Sequence, residues 1–270
     1  MMTRRPARDA FTLIELLVVI SIIGILMSLI LPAVQKIRGT GPRLTAKSDI
    51  EQMSAACTHF KNKYGFYPPS SFTVPTTKNL ADPNFVLLSQ MFPRWMSSQP
   101  AGTSTSLTAA TITGSQCLVY FLGGPLGTGW AVDVPFAPSP TATAKNTFMD
   151  FPVARVVNGA YLDPWKTPYA YFGSGTGGIY PTFQINPTNS PYYTAANFIP
   201  APMSGIAPFF SGAKPVNPNG VQIISAGENM TFGPGGAWTP GAGAYSNAQA
   251  PGGDDMANFN GGLMLGVLNN

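Results

Sequence analysis

Hydrophobic positions follow two different rules in the first quarter of the chain. Residues 11–31, FTLIELLVVISIIGILMSLIL, are apolar all round, with Glu15 as the only charge. As a helix rising about 1.5 Å per residue, this run matches the roughly 30 Å hydrocarbon core of a bilayer. A carboxylate within such a helix is costly and ordinarily paired. No Lys or Arg lies inside the run, and the nearest ones are Arg8 and Lys36. From Arg43 to Tyr64 the rule changes to a single stripe, Ile50, Met53, Cys57, Phe60 and Tyr64 at steps of three and four, with Asp49, Glu51, Gln52, Lys61 and Lys63 off it. That pattern predicts an amphipathic helix covered by the residues that follow. Between the two runs, Pro32 predicts a kink and Gly39-Thr40-Gly41-Pro42 a break or an unwound segment, because both residue types oppose helix interiors.

Past Tyr64 the elements shorten. Gly65 stops the helix and Pro68-Pro69 keeps it from resuming. Asp82-Pro83 reads as an N-cap followed by proline at the first helical position, with Phe85, Leu88, Met91 and Trp95 behind it and a disturbance at Pro93. A second short helix is predicted from Ser115, placing Cys117, Leu118, Phe121 and Leu122 on one face, and Gly123-Gly124-Pro125 ends it. Strands are predicted at Val153–Val157, Tyr169–Phe172, Gly178–Ile185 and Val221–Ser225, each bounded by Gly, Pro or Asn. The segment Gln99–Gly114 reads as a loop, and Asn186–Asn219 as a surface loop or an elaborated insertion.

The N-terminal residues carry a resemblance. A short leader with Arg4, Arg5 and Arg8, followed by Ala10-Phe11-Thr12-Leu13-Ile14-Glu15-Leu16-Leu17-Val18-Val19-Ile20, resembles the cleavage and N-methylation signature of type IV prepilins and type II secretion pseudopilins. The resemblance implies that a prepilin peptidase cuts after Ala10 and methylates the new amine of Phe11. Glu15 then pairs with a subunit's N-terminus during assembly. Ala10 stands where glycine is usual, and Pro32 falls where these helices commonly carry a proline. Two later segments resemble the major pseudopilins of type II secretion: Asp163-Pro164-Trp165-Lys166-Thr167-Pro168-Tyr169, with Lys166 where glycine is usual, and the loop Ser225-Ala226-Gly227-Glu228-Asn229 together with Asp254-Asp255-Met256-Ala257-Asn258-Phe259. In that family the loop binds calcium. The resemblance makes Glu228, Asn229, Asp254 and Asp255 the candidate Ca²⁺ ligands here, with Glu228-Asn229 in place of the usual Asp-Gly. Oxygen donors of this kind suit a hard cation; the other reading of Asp254-Asp255 is a solvated turn.

The implied fold is α+β: a long N-terminal helix, membrane half plus amphipathic half, packed on a small antiparallel β-sheet with long loops. The implied organisation is a leader over residues 1–10, a transmembrane and filament-core helix over 11–38, an amphipathic helix over 39–64 and an exported head over 65–270, with residues 43–64 packed on that head.

Composition removes other classes. The formal charge is +4, but from Tyr64 onward six Lys/Arg face seven Asp/Glu, so the head lacks the basic footprint of nucleic-acid binding. Gly 29 and Pro 27 beside 44% hydrophobic residues describe a folded, loop-rich head. Cys57 and Cys117 are either a disulfide, if the compartment is oxidising, or two buried thiols. The single histidine, His59, lies two residues from Cys57 and so does not face it on a helix. No zinc-type cluster and no nucleophile elbow occur. Gly173-Ser174-Gly175-Thr176-Gly177-Gly178 has the letters of a dinucleotide loop but no helix to follow it. Asn229-Met230-Thr231 is a formal sequon inside the candidate calcium loop. An enzyme is not expected.

The expected function is mechanical: a type II secretion pseudopilus subunit, or one of a related pilus-like filament. Its partners would be prepilin peptidase, further copies, minor pseudopilins and the inner-membrane assembly platform. It would cross the inner membrane once, with the leader cytoplasmic and the head periplasmic. Two alternatives stay open, a type IV pilus subunit and a membrane-anchored binding protein that never polymerises. An ordinary secretory signal fits poorly, because the apolar run is too long and is interrupted by Glu15.

Overall fold

The computed structural model describes residues 13–93, 111–124, 127, 129, 147–173, 206, 208–211, 214–217, 220–233, 235–238 and 252–266, with the side chains of residues 29, 32–39 and 264 excepted. Two compact units are present, Met1–Leu44 and Thr45–Asn270. Helix α1 is a single element of 52 residues, Leu13–Tyr64. The break predicted at Gly39–Pro42 is therefore corrected: α1 continues through it. Proline removes one donor and glycine lowers propensity by roughly 1 kcal/mol, and both are local penalties that a helix already extended on either side can carry. Nothing lies within 4 Å of a Cβ built on Gly41, so no close approach requires glycine there.

In the second unit the predicted stripe is the buried face. Ile50, Met53, Cys57 and Phe60 are fully buried, joined by Ala46 and Ala56, and Tyr64 packs at the edge of the same cluster. Each fully buried side chain of the larger kind contributes about 1.5–3 kcal/mol of transfer free energy. Facing the stripe are α2 (Pro83–Met91), α3 (Ser115–Gly123) and two strands, β1 (Ser71–Thr73) and β2 (Thr111–Thr113). These strands pair antiparallel, with Phe72 opposite Ile112. The Asp82 side chain caps α2 by accepting from the Asn84 N–H at 2.9 Å. Leu118, Phe121 and Leu122 of α3 are fully buried, and Gly124, at φ 82°, closes the helix. Phe60 meets Phe121 edge-on, with ring centroids 5.9 Å apart.

The predicted strand Val153–Val157 is half wrong. Residues Val153–Arg155 form a 3-10 turn, and only β3 (Val156–Val157) is extended, pairing with β4 (Ala160–Tyr161). The turn opens directly after Pro152, whose fixed φ favours a tight turn, and Arg155 N–H donates to Pro152 O at 2.8 Å.

The central sheet has four strands, ordered β11 (Leu263–Met264), β10 (Met256–Ala257), β8 (Val221–Ser225), β5 (Ala170–Gly173). All its pairings are antiparallel, with Tyr171 opposite Ile223 and Met256 opposite Ser225. Strand β8 has the predicted bounds and β5 is shifted by one residue. The free side of β5 is covered by the segment after α1. Gly173 N–H donates to Ser70 Oγ at 2.9 Å, and Tyr171 OH donates to Pro68 O at 2.6 Å. A Cβ on Gly173 would stand 2.4 Å from Pro68 O, so this position has room only for glycine.

On the other face of the sheet a second core gathers Phe172, Phe209, Ile224, Trp238 and Leu265. It includes β6 (Phe209–Ser211), paired with β7 (Lys214–Pro215) and, in parallel, with β9 (Gly236–Ala237). Gln222, wholly buried, joins β8 to β6: its Oε1 accepts from Phe209 N–H, and its Nε2 donates to Phe209 O and Val216 O, all within 2.8–2.9 Å. The predicted strand Gly178–Ile185 lies outside the described residues, as does most of the predicted loop Asn186–Asn219; the described part of that loop is corrected, since it carries β6 and β7.

Candidate functional site

The N-terminal signature comes first in the chain. Ala10 and Phe11 lie outside the described residues. Glu15 stands in the first turn of α1. Around it the large apolar side chains are exposed in the single chain, from 46% at Val19 to 80% at Leu13, and the exposure continues to Leu31. Among the described residues, no helix is long and apolar enough to cross a membrane. The predicted span includes Phe11 and the side chain of Leu29, which are not among them.

A second group was not read from the sequence. Asp49, placed there off the apolar stripe of the amphipathic helix, is only 7% exposed. Its Oδ2 accepts from Arg155 Nη2 at 2.5 Å and from Tyr169 OH at 2.8 Å, and its Oδ1 accepts from Tyr161 OH at 3.1 Å. Arg155 also donates to Leu162 O from Nε at 3.0 Å and from Nη2 at 2.6 Å, and its guanidinium lies 4.5 Å from the Tyr161 ring centroid. The Tyr161 and Tyr169 rings stack at 5.6 Å. Burial, and after it the Asp49 carboxylate, push both phenols well above their ordinary range, so both remain donors. Both carboxylate oxygens are satisfied, and α1 is thereby tied to the head. One signal was available: a step of four back from Met53 lands on Asp49, within the stripe.

The segment between these two tyrosines is the Asp163 turn. Asp163 Oδ1 accepts from Trp165 N–H at 3.0 Å and Thr167 N–H at 2.9 Å, and Oδ2 accepts from Ser225 Oγ at 2.7 Å. Lys166, standing where glycine is usual in the resembling family, has φ 73°. Burial raises the Asp163 carboxyl to about 6, against the lowering effect of its hydrogen bonds and of Arg155. Ser225 opens the second resembling segment, so the two segments meet here.

That second segment builds an acidic loop. Gly227 N–H donates to Ser225 Oγ at 3.2 Å, and Asn229 N–H donates to Asp254 Oδ2 at 2.8 Å. A Cβ on Gly227, at φ 68°, would stand 2.3 Å from Asp254 O, so the turn packs on the aspartate only as glycine. Gly233 N–H donates to Asp255 Oδ2 at 3.0 Å. Asp254 is 8% exposed and Asp255 is fully buried, yet Oδ1 of each has no hydrogen-bond partner. Burial, with Asp254 adding to it, raises the Asp255 carboxyl to about 7, against the Gly233 N–H. Glu228 and Asn229 are exposed. Among the described residues no group of three or more His, Cys, Asp and Glu gathers as a metal site, so Glu228 is not brought to the two aspartates. The Asn229 Oδ1 accepts from Thr231 N–H at 2.6 Å, closing a local turn over the sequon. Two buried carboxylate oxygens without partners, with no thiol or imidazole nearby, fit a hard oxygen-seeking cation better than zinc.

Cys57 and Cys117 are both free and buried, which corrects the disulfide alternative. Cys117 Sγ instead donates to Ile112 O at 3.1 Å. Both thiols are pushed far up by burial, as expected of inert core cysteines. His59 is exposed on α1.

Comparison with known proteins places the N-terminus in a class. Residues 5–31 match the family described as the prokaryotic N-terminal methylation motif. The motif marks pilin-like structural subunits, which are membrane-anchored, processed by prepilin peptidase and assembled with other pilin subunits, and which are not enzymes. No curated protein and no solved structure matches the chain.

Proposed function

We propose that the chain is a subunit of a type II secretion pseudopilus. The observation that carries this reading is the methylation motif covering a stretch of α1 whose large apolar side chains are exposed. Apolar surface of that extent needs lipid or other helices around it. Prepilin peptidase cuts after Ala10 and methylates Phe11, and α1 holds the subunit in the inner membrane with the head on the periplasmic side. Assembly with further copies and minor pseudopilins then packs the apolar helices together, with Glu15 neutralising a neighbour's N-terminal amine. The secretion filament, rather than an adhesive pilus, is supported by the contact between the two segments that resemble the major pseudopilins, through Ser225 and Asp163. The acidic loop takes Ca²⁺ on Asp254 and Asp255, with loop carbonyls to complete the oxygen set; Glu228 and Asn229 join it only by moving in from their present positions. A bound cation supplies the positive charge that the two partnerless oxygens lack.

The test is intact-mass and N-terminal peptide analysis of the protein from its native membrane. A chain beginning at N-methylated Phe11 is expected. An uncut chain in cells with active prepilin peptidase would remove the filament reading, and a plain membrane anchor would replace it. Glu15→Ala should leave processing intact and abolish incorporation into filaments.

A further inference from the structure

We infer that the Ser225 hydroxyl links the acidic loop to the Asp49 contact on α1, so that ordering the loop tightens the head's hold on its own helix. The metal-dependent part of this rests on the cation reading above. Each contact in the path is in place. On the loop side, Gly227 N–H donates to Ser225 Oγ and the Gly227–Met230 turn rests on Asp254, with no room for a Cβ between them. From Ser225 Oγ a 2.7 Å hydrogen bond reaches Asp163 Oδ2. The other oxygen of Asp163 holds the Trp165 and Thr167 amides, and its backbone N–H donates to Thr167 O at 2.7 Å, which closes the turn. That turn sets the spacing between Tyr161 and Tyr169, whose hydroxyls grip Asp49. Leu162 O, one residue before Asp163, takes Arg155, which also grips Asp49. Asp163 is thus a positioning residue: its hydrogen bonds go to Trp165, Thr167, Ser225 and Lys166, and through them it fixes the segment that holds Asp49.

Among the described residues Ser225 is the side chain that joins the two halves of this path, beside the backbone ladder of β5, β8 and β10, so its removal takes away the side-chain link and leaves the ladder in place. The full chain is studied in detergent, first in EDTA and then with calcium, by calorimetry and by amide hydrogen exchange. In wild type, calcium slows exchange at residues 227–233 and 252–256 and also at α1 residues 46–60. In Ser225→Ala, which also takes the acceptor from Gly227 N–H, calcium still binds and protects residues 229–233 and 252–256, but protection at 46–60 is lost. Without metal, Ser225→Ala speeds exchange at 46–60 and 161–169 by on the order of tenfold, the effect of a hydrogen bond to a charged acceptor. Calcium that binds wild type and protects only the loop would overturn the link and leave the cation site standing. No heat of binding would remove the cation site, and the link would then be decided in EDTA alone, where equal exchange in wild type and Ser225→Ala at 46–60 overturns it. Ser225→Thr, which keeps the hydroxyl, should restore the wild-type rates.

Discussion

Two buried acidic groups in the same head have opposite bookkeeping. Around Asp49 both carboxylate oxygens are taken, by one guanidinium and two phenols. Around Asp254 and Asp255 each carboxylate has one oxygen held by a backbone amide and one held by nothing. A buried polar group without a partner costs on the order of 1–3 kcal/mol, more when charged, so a fold keeps such groups where something else supplies the missing interaction. The saturated cluster is structure, and the unsaturated one is where we propose a cation binds. Burial alone does not separate them, since Asp49 and Asp254 are almost equally covered.

The largest effect should come from the saturated group. Asp49→Ala leaves Arg155 and two tyrosine hydroxyls without their acceptor and should cost about 3–5 kcal/mol, read as a lowered urea midpoint. A loss below about 1 kcal/mol would mean that water replaces the carboxylate and that the cluster holds little. Next comes the unsaturated group: calcium at a hundred times its dissociation constant should stabilise the head by about 2.7 kcal/mol, seen in thermal unfolding. Asp255→Asn should abolish that gain without the loss seen for Asp49→Ala. Equal stabilisation of wild type and variant would place the cation elsewhere.

Asp163, between the two groups, gives a smaller and pH-dependent effect. Its carboxyl sits at about 6 in the fold against an ordinary 3.8, so the folded state holds the proton more tightly than the unfolded one. Its contribution is fully present below about pH 4 and is lost as pH rises through 6. Asp163→Asn should therefore flatten the difference in stability between pH 4 and pH 7, and comparison with wild type cancels the other carboxyls. An unchanged slope would mean that Asp163 is not the group that titrates. The smallest effect is Lys166→Gly. A lysine at φ 73° carries backbone strain, and glycine should stabilise the turn by up to about 1 kcal/mol, offset in part by the freedom glycine gains when unfolded.

Where the determinants are close in sequence, the residues announced the structure. The stripe from Ile50 to Phe60 is the buried face of α1, Asp82-Pro83 starts α2, Gly124 stops α3, and β8 spans the predicted Val221–Ser225. Asp49 failed because a lone acid beside an apolar stripe reads as solvated. Its partners arrive from Arg155, Tyr161 and Tyr169, 106, 112 and 120 residues away. Gln222 escaped notice for a related reason: an amide in a strand gives no sign that it will bridge to a strand ending 11 residues earlier. The acidic loop was legible only through resemblance, and the structure added that Asp254 and Asp255 turn inward while Glu228 stays at the surface. Local penalties were overweighted at Gly39–Pro42, where helix continues.

The two inert thiols have a practical consequence. Cys57 belongs to the buried stripe of α1 and Cys117 to α3, which packs in the same core. The stability of the closed head rests on no covalent crosslink between them, so it does not depend on the oxidation state of its surroundings. Each sulfur is silent toward alkylating reagents until the core around it opens, and Cys57 answers when the helix leaves its bed. The chain thus contains its own stopwatch for that event: the rate of Cys57 modification in Cys117→Ala times how often the head lets go of α1.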